Sequence, residues 1–208
     1  PQRSDQPPDV VLGQPDFTEV RENSGGEASA LSFYWPFGLA YIDGWFWVAD
    51  TGNRRVLGWQ GIPEPGRTPD VLLGQSTFND RSENRGGAVS GSSYRWPHAI
   101  AGDSEGLYVA DAGNHRVLGW APNPRVDRPA DLALGQSTFA TSDELPHRPQ
   151  GPQRLRFPYA VALEGPTLAV ADTANNRVLF WHSRPKHGTF LPADQVIGQP
   201  DFDKSGEN

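Results

Sequence analysis

The sequence predicts an all-β chain organised as a β-propeller, with four-stranded antiparallel blades and three blades in its 208 residues. Three observations carry this reading. The phrase Ala-Asp-Thr-Gly-Asn-Arg-Arg-Val-Leu-Gly-Trp at Ala49–Trp59 returns as Ala-Asp-Ala-Gly-Asn-His-Arg-Val-Leu-Gly-Trp at Ala110–Trp120 and as Ala-Asp-Thr-Ala-Asn-Asn-Arg-Val-Leu-Phe-Trp at Ala171–Trp181, each step being 61 residues. A self-similarity at fixed period marks one supersecondary unit stacked on its copies, none of which buries its apolar face alone. Each unit also offers short apolar runs of strand length between turn signals, and no stretch sustains the 3.6-residue period of an amphipathic helix. Finally, the first run of each unit carries small residues (Gly38, Ala40; Ala99, Ala101; Ala160, Ala162), which suit the crowded inner strand of radially packed blades.

Taken in order, residues 1–8 are polar and Pro-rich and read as a loose arm. Asp9–Phe17 then carries a second recurring phrase, Asp-Val-Val-Leu-Gly-Gln-Pro-Asp-Phe, with relatives at Asp70–Phe78, Asp131–Phe139 and Asp194–Phe202. Four copies stand against three of the first phrase, so 9–17 reads as an extra strand ahead of units 36–78, 97–139 and 158–202, and 203–208 as a tail. The crossings between units are polar and Gly-rich at Glu22–Gly26 and Glu83–Gly87, and Pro-rich near Pro146–Pro152, as expected of surface loops. Each crossing ends in an aromatic-Pro pair (Trp35-Pro36, Trp96-Pro97, Phe157-Pro158), where Pro forces an extended entry and opens a strand. Strands are expected at Phe37–Ile42, Trp45–Ala49, Arg55–Trp59 and Val71–Leu73, and in the second unit at His98–Ala101, Leu107–Ala110, Arg116–Trp120 and Leu132–Leu134. The turns Asp43-Gly44 and Thr51-Gly52-Asn53 are of the kind that supply positive φ, so successive strands should form an antiparallel meander.

Composition narrows the function classes. A net charge of -7 argues against general binding to a phosphate backbone, and basic segments such as Arg154–Arg156 and Arg184–Lys186 are short and interrupted, so a nucleic-acid partner is not expected. With no Cys there is neither a disulfide framework nor a thiolate zinc site, and the compartment is left open. No run approaches the roughly 18 apolar residues that span a bilayer as a helix, so no membrane partner is expected.

The aromatic-Pro start followed by Gly-Leu-Ala, Trp-Val-Ala-Asp-Thr-Gly-Asn-Arg-Arg-Val-Leu and the Leu-Gly-Gln-x-x-Phe ending resembles the NHL repeat, in a bacterial branch with long units. The resemblance covers almost all of residues 9–202. It implies a propeller, commonly six-bladed, used by its members as a binding platform for protein or RNA and by some as an enzyme, such as the peptidyl-hydroxyglycine amidating lyases. Fold alone therefore assigns no activity. Three blades cannot close a ring, and an open arc leaves apolar blade faces bare. A second copy related by a two-fold axis, giving six blades, is the expected completion, with half of a longer polypeptide as the alternative.

Positions identical in all units are most simply scaffold. Asp50, Asp111 and Asp172 precede the turn, where a carboxylate accepts backbone N–H bonds, and Asn53, Asn114 and Asn175 suit a left-handed turn position. Arg55, Arg116 and Arg177 are expected to pair with an Asp of their own or the next blade, the functional alternative being a ring of anion-binding guanidinium groups. Specific function has room where the units differ. The residue after the aromatic-Pro pair is Phe37, His98 or Tyr159, at the start of the innermost strand and near one channel mouth, where the side chains could stack on an apolar or planar ligand. A pair of His98 across a ring falls short of the three or four ligands that zinc takes, so no metal or other cofactor is expected. Arg54, His115 and Asn176 also vary, which surface drift explains adequately. These residues predict a non-enzymatic ligand-binding or assembly module for a small molecule, glycan or peptide. The alternative is a lyase or hydrolase, possibly metal-assisted, centred on His98.

Overall fold

A computed structural model describes residues 6–206, so parts of the expected arm (1–5) and tail (207–208) lie outside the described residues. Each repeat folds into one antiparallel sheet, in chain order. The first holds β1 (Pro36–Ile42), β2 (Trp45–Asp50), β3 (Arg55–Gln60) and β4 (Val71–Leu73). The second holds β5 (Pro97–Asp103), β6 (Gly106–Asp111), β7 (Arg116–Trp120) and β8 (Leu132–Leu134), and the third β9 (Pro158–Glu164), β10 (Thr167–Asp172), β11 (Arg177–Trp181) and β13 (Gln195–Ile197). A two-residue strand from the third repeat, β12 (Gly188–Thr189), reaches back and adds to β8 in parallel. Three consecutive four-stranded meanders with this order are compatible with the blades of a β-propeller.

The turns follow local chemistry. Asp43 (φ 49°) and Gly44 (φ 75°) make the two-residue left-handed turn that matches the twist of the β1–β2 hairpin. The next reversal departs from expectation at Asn53. Thr51–Asn53 forms a single 3-10 turn closed by Arg54 N–H donating to the Thr51 carbonyl, so the left-handed position falls one residue later, on Arg54 (φ 57°), His115 (φ 55°) and Asn176 (φ 55°). The Asn53 side chain instead donates to Asp50 Oδ2 at 2.8 Å and bonds Asn23 of the preceding crossing at 2.8 Å.

A second departure is at 9–17, where no strand forms. Its relatives become β4, β8 and β13 because each lies beside the third strand of its own sheet, and nothing precedes 9–17 in the described residues to serve as that neighbour. The phrase is otherwise folded like its relatives. Gln14 Nε2 donates to the Arg21 carbonyl at 2.8 Å, as Gln75 does to Ser82 at 2.9 Å and Gln136 to Asp143 at 3.0 Å.

The core lies between sheets. Trp47, Val56, Val71 and Leu73 of the first pack against Tyr94, Leu107, Val109 and Trp120 of the second. Tyr108, Val117, Leu132 and Leu134 on the second sheet's other face meet Leu155, Val161, Leu168 and Trp181 of the third. The three inner strands β1, β5 and β9 run side by side. Their crowding explains Gly38, where an added Cβ would stand 2.5 Å from the His98 carbonyl. The two outermost faces remain open. Leu39 and Tyr41 are exposed on the first sheet, and Ala160, Ala162 and Ile197 on the third.

Candidate functional site

The three variable residues at the starts of the inner strands come together. Phe37, His98 and Tyr159 form one row across β1, β5 and β9, with the His98 ring centroid 4.5 Å from Phe37 and 4.5 Å from Tyr159. In each strand the pairing register slips at this point, between Pro36 and Leu39, between Pro97 and Ala99, and between Pro158 and Ala160. A bulge re-aims its extra residue, which is how the same position in three sheets turns its side chain toward its neighbours. Phe37 is 60% exposed and Tyr159 43%, while His98 between them is half-buried. Burial lowers the His98 pKa, which leaves the imidazole neutral at pH 7.

A second tier stands beside the first, built from the aromatics that precede Pro. Trp96 and Phe157 stack at 6.3 Å and 24°, with the Arg95 guanidinium 5.1 Å over the Trp96 ring. Phe157 also lies 6.4 Å from Tyr159, joining the tiers. Trp35, the equivalent residue ahead of β1, is 65% exposed and packs its ring 4.9 Å from Tyr34. The result is an aromatic ridge with a neutral imidazole at its centre, suited to stacking on planar or apolar groups and to hydrogen bonding through ring nitrogen.

Arg55, Arg116 and Arg177 are not part of this surface. Arg55 is fully buried, with Nε 2.7 Å from Asp50 Oδ2, Nη1 2.6 Å from the Phe78 carbonyl, and Nη2 2.8 Å from the Ser29 and Ser32 carbonyls. Arg116 repeats this with Asp111, Phe139, Ser90 and Ser93, and Arg177 with Asp172, Phe202, Gly151 and Arg154. With four of the five N–H donors engaged and no side-chain surface exposed, these arginines are structural clamps, out of reach of an anion. The ion pair is within its own sheet, and each carboxylate also accepts a backbone N–H, from Tyr34, Arg95 or Arg156. Burial nevertheless raises the Asp50 and Asp172 carboxyls above the usual range, against the opposing pull of Arg55 and Arg177.

His115 is likewise no surface residue. It is 4% exposed, its Nδ1 accepts the Phe157 N–H at 3.2 Å, and its ring meets the Phe157 edge at 4.4 Å. No local sequence signal marks it, since Arg54 and Asn176 hold the same place one residue before a clamp arginine and are not buried. Among the described residues there is no cluster of three or more His, Asp or Glu side chains placed to hold a metal ion.

A cavity of about 490 Å³ lies away from the ridge, over the outer face of the first sheet. Val11, Leu12 and Gln14 form one wall, and Phe33, Trp59 and Arg67 the other.

No protein-family model matches this chain. No curated protein matches it either. Among solved structures it is similar to a chain of a nidogen/laminin complex, at 18% identity and a TM-score of 0.44, over 71% of this chain and 43% of that one. It is also similar to a chain in a humanized mutant of the Chaetomium thermophilum Polycomb Repressive Complex 2 bound to an inhibitor, at 13% identity and a TM-score of 0.45, over 81% of this chain and 34% of that one. The chain thus spans less than half the length of either.

Proposed function

We propose that this chain is a non-enzymatic binding module: three blades of an NHL-type β-propeller, completed to six by a second copy, which hold a ligand on the aromatic ridge at one channel mouth. The observation that carries the binding role is the Phe37–His98–Tyr159 row, where ring-bearing side chains that differ between the repeats converge in space. Exposed aromatic faces beside a neutral imidazole favour a planar or apolar moiety, as in a sugar ring face or an aromatic side chain of a peptide. The open faces of the first and third sheets support completion by further blades, since the internal second sheet buries Ile100 and Leu134, the equivalents of the exposed Leu39 and Ile197. Closure in this way would bury more than about 2,000 Å² in total, in the range of obligate partners.

The binding role is tested by titrating a panel of phenyl glycosides and short aromatic peptides against the protein, followed by tryptophan fluorescence and by NMR of the histidine ring. A saturable ligand should bind at least about tenfold more weakly to His98→Ala and Phe37→Ala, a loss of about 1.4 kcal/mol. Binding that both variants retain at full strength, or no binding by any member of the panel, overturns the reading. Elemental analysis of the same preparation separates it from a metal-assisted reaction at His98.

A further inference from the structure

The open face of the third sheet is not built like a solvated surface. At both internal joints the central position of the second strand is large and its cross-strand partner is Gly: Trp47 opposite Gly58, and Tyr108 opposite Gly119. A Cβ on either Gly would collide with or crowd the large ring, so one side chain fills the space of two. In the third sheet the same pair is Ala169 opposite Phe180. The bulk has moved across the ladder, and its total is kept. A face destined for water gains nothing from conserving the volume of a joint, and Phe180 stands there without the sheet that Trp47 and Tyr108 each meet.

The first sheet presents the complementary half. Val11 and Leu12 face Phe33 and Trp59 across the cavity, at the place in the repeat where β4 packs with Tyr94 and Trp120 at the next joint. An added Cβ on Gly13 would meet the Phe33 ring at 2.2 Å, as one on Gly74 would meet Tyr94 at 2.1 Å. The segment thus holds the place of a fourth strand without the other three of its sheet, and the 490 Å³ cavity is the space those strands would enter.

Joining the third sheet of one copy to the first sheet of another raises a conflict, because that place then has two fourth strands, Val10–Leu12 and β13. They are not equivalent. The two core-facing positions are Val71 and Leu73 in β4, Leu132 and Leu134 in β8, and all four are buried. In the N-terminal segment they are Val10 and Leu12; in β13 they are Gln195 and Ile197, with Gln195 directly opposite Phe180. An amide buried against an aromatic without a partner is costly, whereas Val at that position reproduces β4.

Resting on the paired assembly proposed above, we propose that the two copies exchange strands. Val10–Leu12 of one copy becomes the fourth strand of the other's third sheet, Phe180 fills the cavity at Phe33 and Trp59, and β13 leaves its place. Asp9 then stands where Asp194 donates its N–H to the Phe180 carbonyl at 2.7 Å, and the Phe17 carbonyl where Phe202 serves Arg177.

Sedimentation of the full chain comes first: a species near twice 22.7 kDa is expected, and a monomer at micromolar concentration overturns the paired assembly itself. Hydrogen exchange on that species then tests the strand exchange alone. The amides of residues 10–12 should be protected at least about 100-fold over those of 195–197. The reverse order, in a species that is nonetheless a dimer, shows packing with β13 retained and refutes the exchange. Variants give the second reading. Deleting residues 1–17 should weaken the dimer at least about tenfold, while Gln195→Pro should leave its dissociation constant unchanged; a dimer equally tight after the deletion, or one loosened by Gln195→Pro, counts against the proposal.

Discussion

Replacing Asp111 by Ala removes the centre of the second sheet's clamp. The carboxylate accepts the Arg95 and Trp96 N–H groups at 2.9 and 3.3 Å, the Asn114 amide at 2.7 Å and Arg116 Nε at 2.9 Å, and neither Asp111 nor Arg116 is exposed. The substitution therefore strands a guanidinium charge in a dry site, for which breaking a buried pair costs about 3–5 kcal/mol. For a chain of this length each kcal/mol moves the melting temperature by about 2–4 °C, so a fall of about 6–20 °C is expected in calorimetry. Asp127→Ala is the internal control. Its pair with Arg85, at 2.7 Å, is 38% and 23% exposed, and a solvated ion pair of that kind contributes about 0–1 kcal/mol. If urea unfolding places the two variants within about 1 kcal/mol of each other, the clamp is not the buried, charge-bearing support argued above.

Three further outcomes are expected. Gly38→Ala drives a Cβ to 2.5 Å from the His98 carbonyl and should destabilise by about 1–3 kcal/mol through separation of β1 from β5, read by denaturant midpoint at constant slope. Trp47→Ala should cost about 3–5 kcal/mol, because Trp47 is fully buried between the first and second sheets and its removal opens a void there. Burial lowers the pKa of both His98 and His115 below 6.5, so the unfolded chain binds more protons; their stabilisation is complete above that value and is lost as pH falls through it. The denaturant midpoint should therefore drop between pH 7.5 and about 5.5, and His115→Asn, the residue found at 176, should flatten the profile; the raised Asp50 and Asp172 carboxyls act with opposite sign in a lower window. A profile unchanged by that substitution would count against His115 as a contributor.

Most of the strand plan was legible because period, aromatic-Pro entries and turn pairs agree with one another: β4, β7 and β8 fall on the expected residues, and β1 and β5 differ by a residue or two at their ends. That Phe37, His98 and Tyr159 are neighbours was legible too, since the three hold the same position on adjacent inner strands. The bulge that turns Phe37, His98 and Tyr159 into a row was not, since nothing in Pro-His-Ala distinguishes a slipped register from a regular one. Nor was the reach of the arginines. An Asp five residues before an Arg suggests a pair, but the carbonyls of Ser90, Ser93 and Phe139 lie 26 residues before, 23 before and 23 after Arg116, beyond any local rule. His115 was misjudged for the same reason: its burial comes from Phe157 in the next repeat, 42 residues on.

Those clamps also bear on how such a chain can be cut and copied. Each guanidinium fastens the crossing that precedes its sheet to the phenylalanine that ends the unit, so Ser29–Phe78, Ser90–Phe139 and Gly151–Phe202 are tied at both ends. A duplication or deletion that breaks inside one of these spans orphans a buried charge, whereas a break in 79–89 or 140–150 leaves every clamp whole. Those two stretches are the places where an inserted segment or a new chain terminus should be accepted.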